Sequence, residues 1–164
     1  STGYNSRELM YIRDKYKIKD SRDFYMVGGM GHTASVALGY SLASKKKIVC
    51  IDGDGSLLMH LGSIKTAGSF AGKNFKYIVL NNNSHDSVGG QNTYANDIDF
   101  EKLSKSLGFK KFYSIKSDKN LKANIQKFLN GNTLNFLEVK ISNSKIKKLP
   151  RPTNLIQIKK LFMK

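Results

Sequence analysis

Asp54 stands between two glycines in Ile51-Asp52-Gly53-Asp54-Gly55-Ser56, and residues 56–80 separate this stretch from Asn81-Asn82-Asn83-Ser84. A carboxylate with no side chain on either neighbour leaves its backbone open to close approach. Where Gly53-Asp54-Gly55 leads into a helix at about Ser56, free N–H groups and the helix dipole favour an anion such as a phosphate. Asp54 would repel that anion unless a cation lay between them. The asparagine loop supplies neutral oxygens for such a cation. One carboxylate, one amide, one backbone carbonyl and two diphosphate oxygens, completed by water, give the oxygen octahedron that Mg²⁺ prefers. Together the two loops read as one site for a magnesium-bound diphosphate.

Two other chemistries fit parts of the chain. Gly29-x-Gly31-x-x-Ala34 follows a predicted strand, opens a helix and precedes Asp52 at the end of the next strand, which is the dinucleotide fingerprint in its Gly-Ala form. That reading leaves the loops at Asp54 and Asn82 without a purpose. A calcium loop starting at Asp52 would need Glu at its twelfth position, where Ser63 stands, and Leu57, Leu58, Met59 and Leu61 fill the space between. The calcium reading fails.

The elements that must position these loops follow from periodicity and breakers. Helices are predicted over Ser6–Tyr16, Gly31–Ser44, Ser56–Gly72, Asp99–Leu107 and Asp118–Leu129, with a final basic helix after Pro150 and Pro152. Strands are predicted at Phe24–Val27, Lys47–Ile51, Phe75–Leu80, Lys111–Ile115 and Leu134–Ile141, and a polar loop at residues 81–96. Alternating helices and continuously apolar strands imply an α/β fold, a three-layer α/β/α arrangement on a mostly parallel sheet, as one domain over residues 1–164. Ligands bind such sheets beyond the carboxyl ends of the strands. The loops at Gly28, Gly53 and Asn81 should therefore gather along one edge.

At 40% hydrophobic residues the chain reads as globular, and no apolar run approaches the roughly 18 residues of a membrane span. The polar start STGYNSREL lacks the form of a secretory signal and has no initiator Met, as in a piece of a longer chain. The single Cys50, inside KIVCI, reads as a reduced core residue of a cytoplasmic protein. The net charge of +16 is lopsided: residues 1–100 hold 12 Lys/Arg against 9 Asp/Glu, residues 101–164 hold 16 against 3. Arg151 is the lone arginine of that second part, and no aromatic residues alternate with its lysines as nucleic-acid stacking would require. A solvated lysine face is expected; a polyanion-binding face and a patch steering a small anionic substrate are the alternatives.

The longer strings SRELMYIRD, VGGMGHTASVALGYSLA, GDGSLLMHLGS, LNNNSHDSVGGQ and RPT resemble the C-terminal thiamine diphosphate (TPP) binding domain of phosphonopyruvate decarboxylases, with sulfopyruvate decarboxylases close behind. Carried over by position, the resemblance makes Asp54, the Asn82 side chain and the Ser84 carbonyl the Mg²⁺ ligands. It places Gly53, Gly55, Ser56, His85, Asp86 and Ser87 around the diphosphate. Met30 corresponds to the large apolar residue that keeps the cofactor rings folded into a V, and the Gly28 carbonyl to the acceptor for the aminopyrimidine. Asn83 departs from the small residue expected there; if the position demands φ > 0, an asparagine can adopt it.

His85 and His32 are the candidate catalytic side chains, whereas His60 is expected to pack or to face an interface. Gln91 and Asn92 are candidates for a loop over the substrate. Asp52 is expected to be an acid satisfied at its strand end. The resemblance also implies a missing half: the activating glutamate sits on a pyrimidine-binding domain, and Glu8, Glu101 and Glu138 have no context for that role. The expected function is TPP- and Mg²⁺-dependent decarboxylation of 3-phosphonopyruvate to phosphonoacetaldehyde, with sulfopyruvate as the alternative substrate. The chain is expected to act as a β subunit or C-terminal piece within an oligomer, its partner a pyrimidine-binding domain or α subunit, with no role for nucleic acid or membrane. A nicotinamide-binding domain and a basic polyanion-binding module are the lesser alternatives.

Overall fold

Four of the predicted apolar runs become β-strands, and their parallel pairing fixes where the loops emerge. The computed structural model describes residues 2–18, 22–143, 146 and 148–163. The strands are β1 (Ile48–Gly53), β2 (Phe75–Asn81), β3 (Lys111–Ile115) and β4 (Asn135–Lys140), all parallel in the order β1-β2-β4-β3. The helices are α1 (Gly3–Lys15), α2 (Thr33–Ala43), α3 (Asp54–Met59), α4 (Leu61–Phe70), α5 (Phe100–Leu107), α6 (Leu121–Asn130) and α7 (Leu155–Phe162). Side chains alternate across each strand, and apolar ones pack on both faces of the sheet, although Val49 on edge strand β1 is exposed. Phe75, Tyr77, Val79 and Phe136 pack with residues of α2, α4 and α5, while Leu137 and Ile115 pack with Phe128 of α6 on the other face. No helix among the described residues is long and apolar enough to cross a membrane.

Register brings the key loops together. Gly53 pairs with Leu80 and Asn81 with Lys140, so the chain leaves β1 and β2 at neighbouring points on the carboxyl edge. The loop after β2 is folded rather than open. An isolated antiparallel bridge joins Ser84 to Asn92, with the His85 N–H donating to the Gln91 carbonyl at 2.8 Å and the Thr93 N–H to the Asn83 carbonyl at 3.3 Å.

Two predicted elements are corrected. Phe24–Val27 is no strand: it joins no ladder, and a cavity lined by Phe24, Tyr25 and Met26 on one side and Ile48–Ile51 on the other separates it from β1. An apolar run satisfies the strand pattern, but a strand needs a hydrogen-bonded neighbour. The helix predicted over Ser56–Gly72 is two helices, broken at His60, whose backbone (φ −138°, ψ 55°) is not helical. Boundaries also shift. The first helix starts at Gly3, leaving Ser6 buried inside it rather than capping it, and the second starts at Thr33 after positive-φ turns at Gly28, Gly29 and Gly31.

Of the lysines behind the charge excess, Lys145, Lys147 and Lys164 lie outside the described residues. Lys76 is not surface charge at all. Only 1% exposed, its ammonium donates to the carbonyls of Lys73, Gly131 and Thr133 at 2.9, 2.6 and 2.6 Å, tying the start of β2 to the turn after α6.

Candidate functional site

Gly53, Asp54, Gly55 and Ser56 form the step from β1 into α3, whose first-turn N–H groups have no helical carbonyl to receive them. Asp54 is 2% exposed, yet it lines a cleft at the carboxyl edge. Its Oδ2 accepts a hydrogen bond from the Thr93 hydroxyl at 2.5 Å, and among the described residues Oδ1 has no protein donor. That oxygen is not a buried orphan: it opens onto the cleft, where a cation or water can meet it.

The three asparagines divide the work of the second loop. Asn81, 1% exposed, donates to Glu138 Oε1 at 2.8 Å and accepts from the Asn83 N–H at 3.0 Å, so it anchors the loop. Asn83 takes φ +58°, a conformation asparagine tolerates, and its side chain accepts from the Asn96 N–H at 3.0 Å. Asn82 lines the cleft: its amide nitrogen donates to Asp86 at 3.2 Å and its Oδ1 accepts from the Ser84 N–H at 3.1 Å. That bond occupies one of two lone pairs on Oδ1 and leaves the other for a ligand.

Gly53, Asp54, Gly55, Ser56, Met30, Asn82, Ser84, His85, Asp86 and Ser87 all border this one cleft. Gly28 borders an adjoining cavity, and Met30 and Ser87 belong to the walls of both. His85 packs on Gly55, where an added Cβ would lie 2.4 Å from its Nδ1; only glycine admits the ring. Ser56 is used internally as well. Its hydroxyl accepts from the Gly31 N–H at 2.9 Å and hydrogen-bonds Asp52, linking the glycine-rich turn to the end of β1.

The other candidates fall elsewhere. His32 borders neither cavity: its Nδ1 lies 3.3 Å from the Met30 carbonyl and its ring 4.3 Å from that of His60. His60 packs over Gly31, where an added Cβ would lie 2.2 Å from its Nδ1. Gln91 and Asn92 also lie off the cleft; Asn92 accepts from the Tyr94 N–H at 2.6 Å. Asp52 is fully buried and held by the Tyr77 hydroxyl at 2.9 Å, the Gly53 N–H at 3.1 Å and Ser56. Burial pushes its carboxyl up from the ordinary range, against those donors, and pushes the Tyr77 phenol well up too. An acid so enclosed cannot reach a ribose, and among the described residues no strand leads into Gly29-x-Gly31. Both props of the dinucleotide reading are gone.

Sequence reasoning missed one wall. Thr2, Gly3, Tyr4, Asn5 and Glu8 complete the cleft, with the Asn5 amide 3.2 Å from the point where Gly53 would carry a Cβ. The polar cluster STGYN was the available signal. Thr93 had none, since its role depends on a loop folding back.

The sequence matches the family described as thiamine pyrophosphate enzyme, C-terminal TPP binding domain, over residues 2–139. The chain belongs to that family. As a member of it, this TPP-binding domain is 40% identical over 117 residues to phosphonopyruvate decarboxylase of Streptomyces viridochromogenes, covering 71% of this chain and 28% of that protein. It is 41% identical over 107 residues to sulfopyruvate decarboxylase subunit beta of Methanothermobacter thermautotrophicus, covering 65% of this chain and 55% of that subunit. With the sulfopyruvate decarboxylase of Methanosarcina acetivorans it shares 33% identity over 138 residues, 84% of this chain and 34% of that protein. The TPP-binding domain thus spans between 28% and 55% of the length of these relatives.

Proposed function

We propose that this chain forms the diphosphate half of a TPP- and Mg²⁺-dependent 2-oxo acid decarboxylase. The observation that carries the reading is the buried Asp54 carboxylate, with one oxygen bare, on the cleft it shares with Asn82 and Ser84. Asp54, the Asn82 amide oxygen and the Ser84 carbonyl are the proposed Mg²⁺ ligands. Among the described residues no cluster of three or more His, Cys, Asp or Glu side chains offers a cage of its own. The remaining positions therefore fall to diphosphate oxygens and water.

The N–H groups at the start of α3, together with His85, Asp86 and Ser87, surround the diphosphate. Met30 would pack against the cofactor rings, and the Gly28 carbonyl would accept a hydrogen bond from the aminopyrimidine. When bound, TPP supplies the electron sink for loss of CO₂ from a 2-oxo acid. His85, on the cleft wall, is the proposed proton-handling side chain. The activating glutamate comes from a pyrimidine-binding domain or α subunit, so the working enzyme is an oligomer, which we place in the cytoplasm.

The proposed substrate is 3-phosphonopyruvate, giving phosphonoacetaldehyde and CO₂. Sulfopyruvate is the second reading, since identity to the sulfopyruvate decarboxylase subunit beta, at 41%, matches the 40% to the phosphonopyruvate decarboxylase. Co-expression with a pyrimidine-binding partner, followed by CO₂ release assays on both substrates, tests this. Release that needs TPP and Mg²⁺ supports the reading. No release from either substrate by a complex that binds the cofactor overturns the decarboxylase assignment.

A further inference from the structure

The motif RPT, residues 151–153, has no part in the cleft described so far. Arg151 borders the adjoining cavity, of about 380 Å³, whose other walls include Gly28, Met30, Ser87 and Arg7. The chain carries 24 Lys against 4 Arg, yet the two cations bordering this cavity are both arginines and no Asp or Glu joins them. Elsewhere an arginine is neutralised: Arg13 forks onto both oxygens of Asp23 at 2.8 and 3.1 Å. Among the described residues neither Arg7 nor Arg151 has a carboxylate partner, and the Arg7 guanidinium lies 5.4 Å from the centroid of the Tyr4 ring.

Arg7 is on α1, and exposed Arg151 sits between half-buried Pro150 and buried Pro152, whose rings restrict the chain on either side. A planar guanidinium fork matches two oxygens of a tetrahedral oxyanion in a way a lysine does not.

We propose that Arg7 and Arg151 form the subsite for the anionic tail of the substrate, a phosphonate or sulfonate carried on a three-carbon 2-oxo acid. This rests on the proposed TPP site: Met30 borders both cavities, so the tail subsite lies across Met30 from the diphosphate cleft. The two arginines then distinguish anionic-tailed substrates from plain 2-oxo acids.

The test uses the full chain with its pyrimidine-binding partner and two separate titrations, methylphosphonate as a tail probe and TPP with Mg²⁺. Methylphosphonate is expected to bind at one saturable site. Arg7→Gln and Arg151→Gln should each weaken it tenfold or more, Arg151→Lys should restore part of the loss, and TPP–Mg²⁺ affinity should stay within about threefold throughout. Methylphosphonate binding indifferent to both substitutions overturns the proposal. So does a matching loss of TPP–Mg²⁺ affinity, which would assign the arginines to the diphosphate. Wild-type protein that binds methylphosphonate in this arginine-dependent way but not TPP–Mg²⁺ overturns the cofactor reading alone and supports an anion subsite at Arg7 and Arg151.

Discussion

Asp54 is held by a threonine 39 residues further along the chain, and Asp52 by a tyrosine 25 residues along. The two carboxylates, with only Gly53 between them, have opposite fates. Asp54 borders the cleft, while Asp52 is closed off beneath it. Residue type and spacing made Asp54 and Asn82 legible, because a carboxylate between glycines and an asparagine run after strands carry local signals. The partners were not legible, since Thr93 and Tyr77 meet these acids only through tertiary folding. Tyr77 offers a stability test with a definite sign. Burial, then the nearby Asp52 charge, keeps its phenol protonated well above the usual range. The folded chain therefore retains a proton that the unfolded chain releases near about pH 10. The associated stability is complete below that pH and is lost as pH rises through the raised folded value. Tyr77→Phe should cost about 1.5–3 kcal/mol at pH 7 in denaturant unfolding, the range for a hydrogen bond to a charged group. The gap to wild type should shrink above pH ~10; a gap independent of pH would contradict this account.

Elements were legible where hydrophobic period decides and illegible where packing does. The residue 56–72 stretch has an unbroken helical pattern, and nothing in it announces that His60 must turn aside to cover Gly31. Phe24–Val27 has a strand's composition but no ladder. The contact between α4 and the end of α5 was equally invisible. Gly68 faces backbone there: an added Cβ would sit 2.0 Å from the Leu107 carbonyl oxygen. Gly108, which ends α5 at φ +107°, lies against Gly68 in turn. Gly68→Ala should destabilise by about 1–3 kcal/mol through overpacking. Gly39→Ala, also mid-helix but with nothing within 4 Å of the added Cβ, should instead stabilise by about 0.5–1 kcal/mol. Thermal melts of the two variants should move in opposite directions, and a shared direction would contradict the packing argument.

At the scale of the molecule the parallel sheet explains why loops distant in sequence make one cleft: β1 and β2 end side by side, and α1 returns its first residues across the opening. The strongly basic composition is a poor guide to function by comparison. Of the three glutamates, Glu101 pairs with Lys105 at 2.6 Å and Glu138 with Lys140 at 3.0 Å, while Glu8 borders the cleft. The central claim is that the ends of β1 and β2 jointly grip a divalent ion on a diphosphate. Calorimetric titration of TPP into the partner-assembled protein, with Mg²⁺ and then with EDTA, measures it most directly. The account predicts saturable binding that vanishes in EDTA and falls a hundredfold or more in Asp54→Ala and Asn82→Ala, with folding intact by circular dichroism. Undiminished TPP affinity in both variants, or affinity indifferent to EDTA, would contradict it.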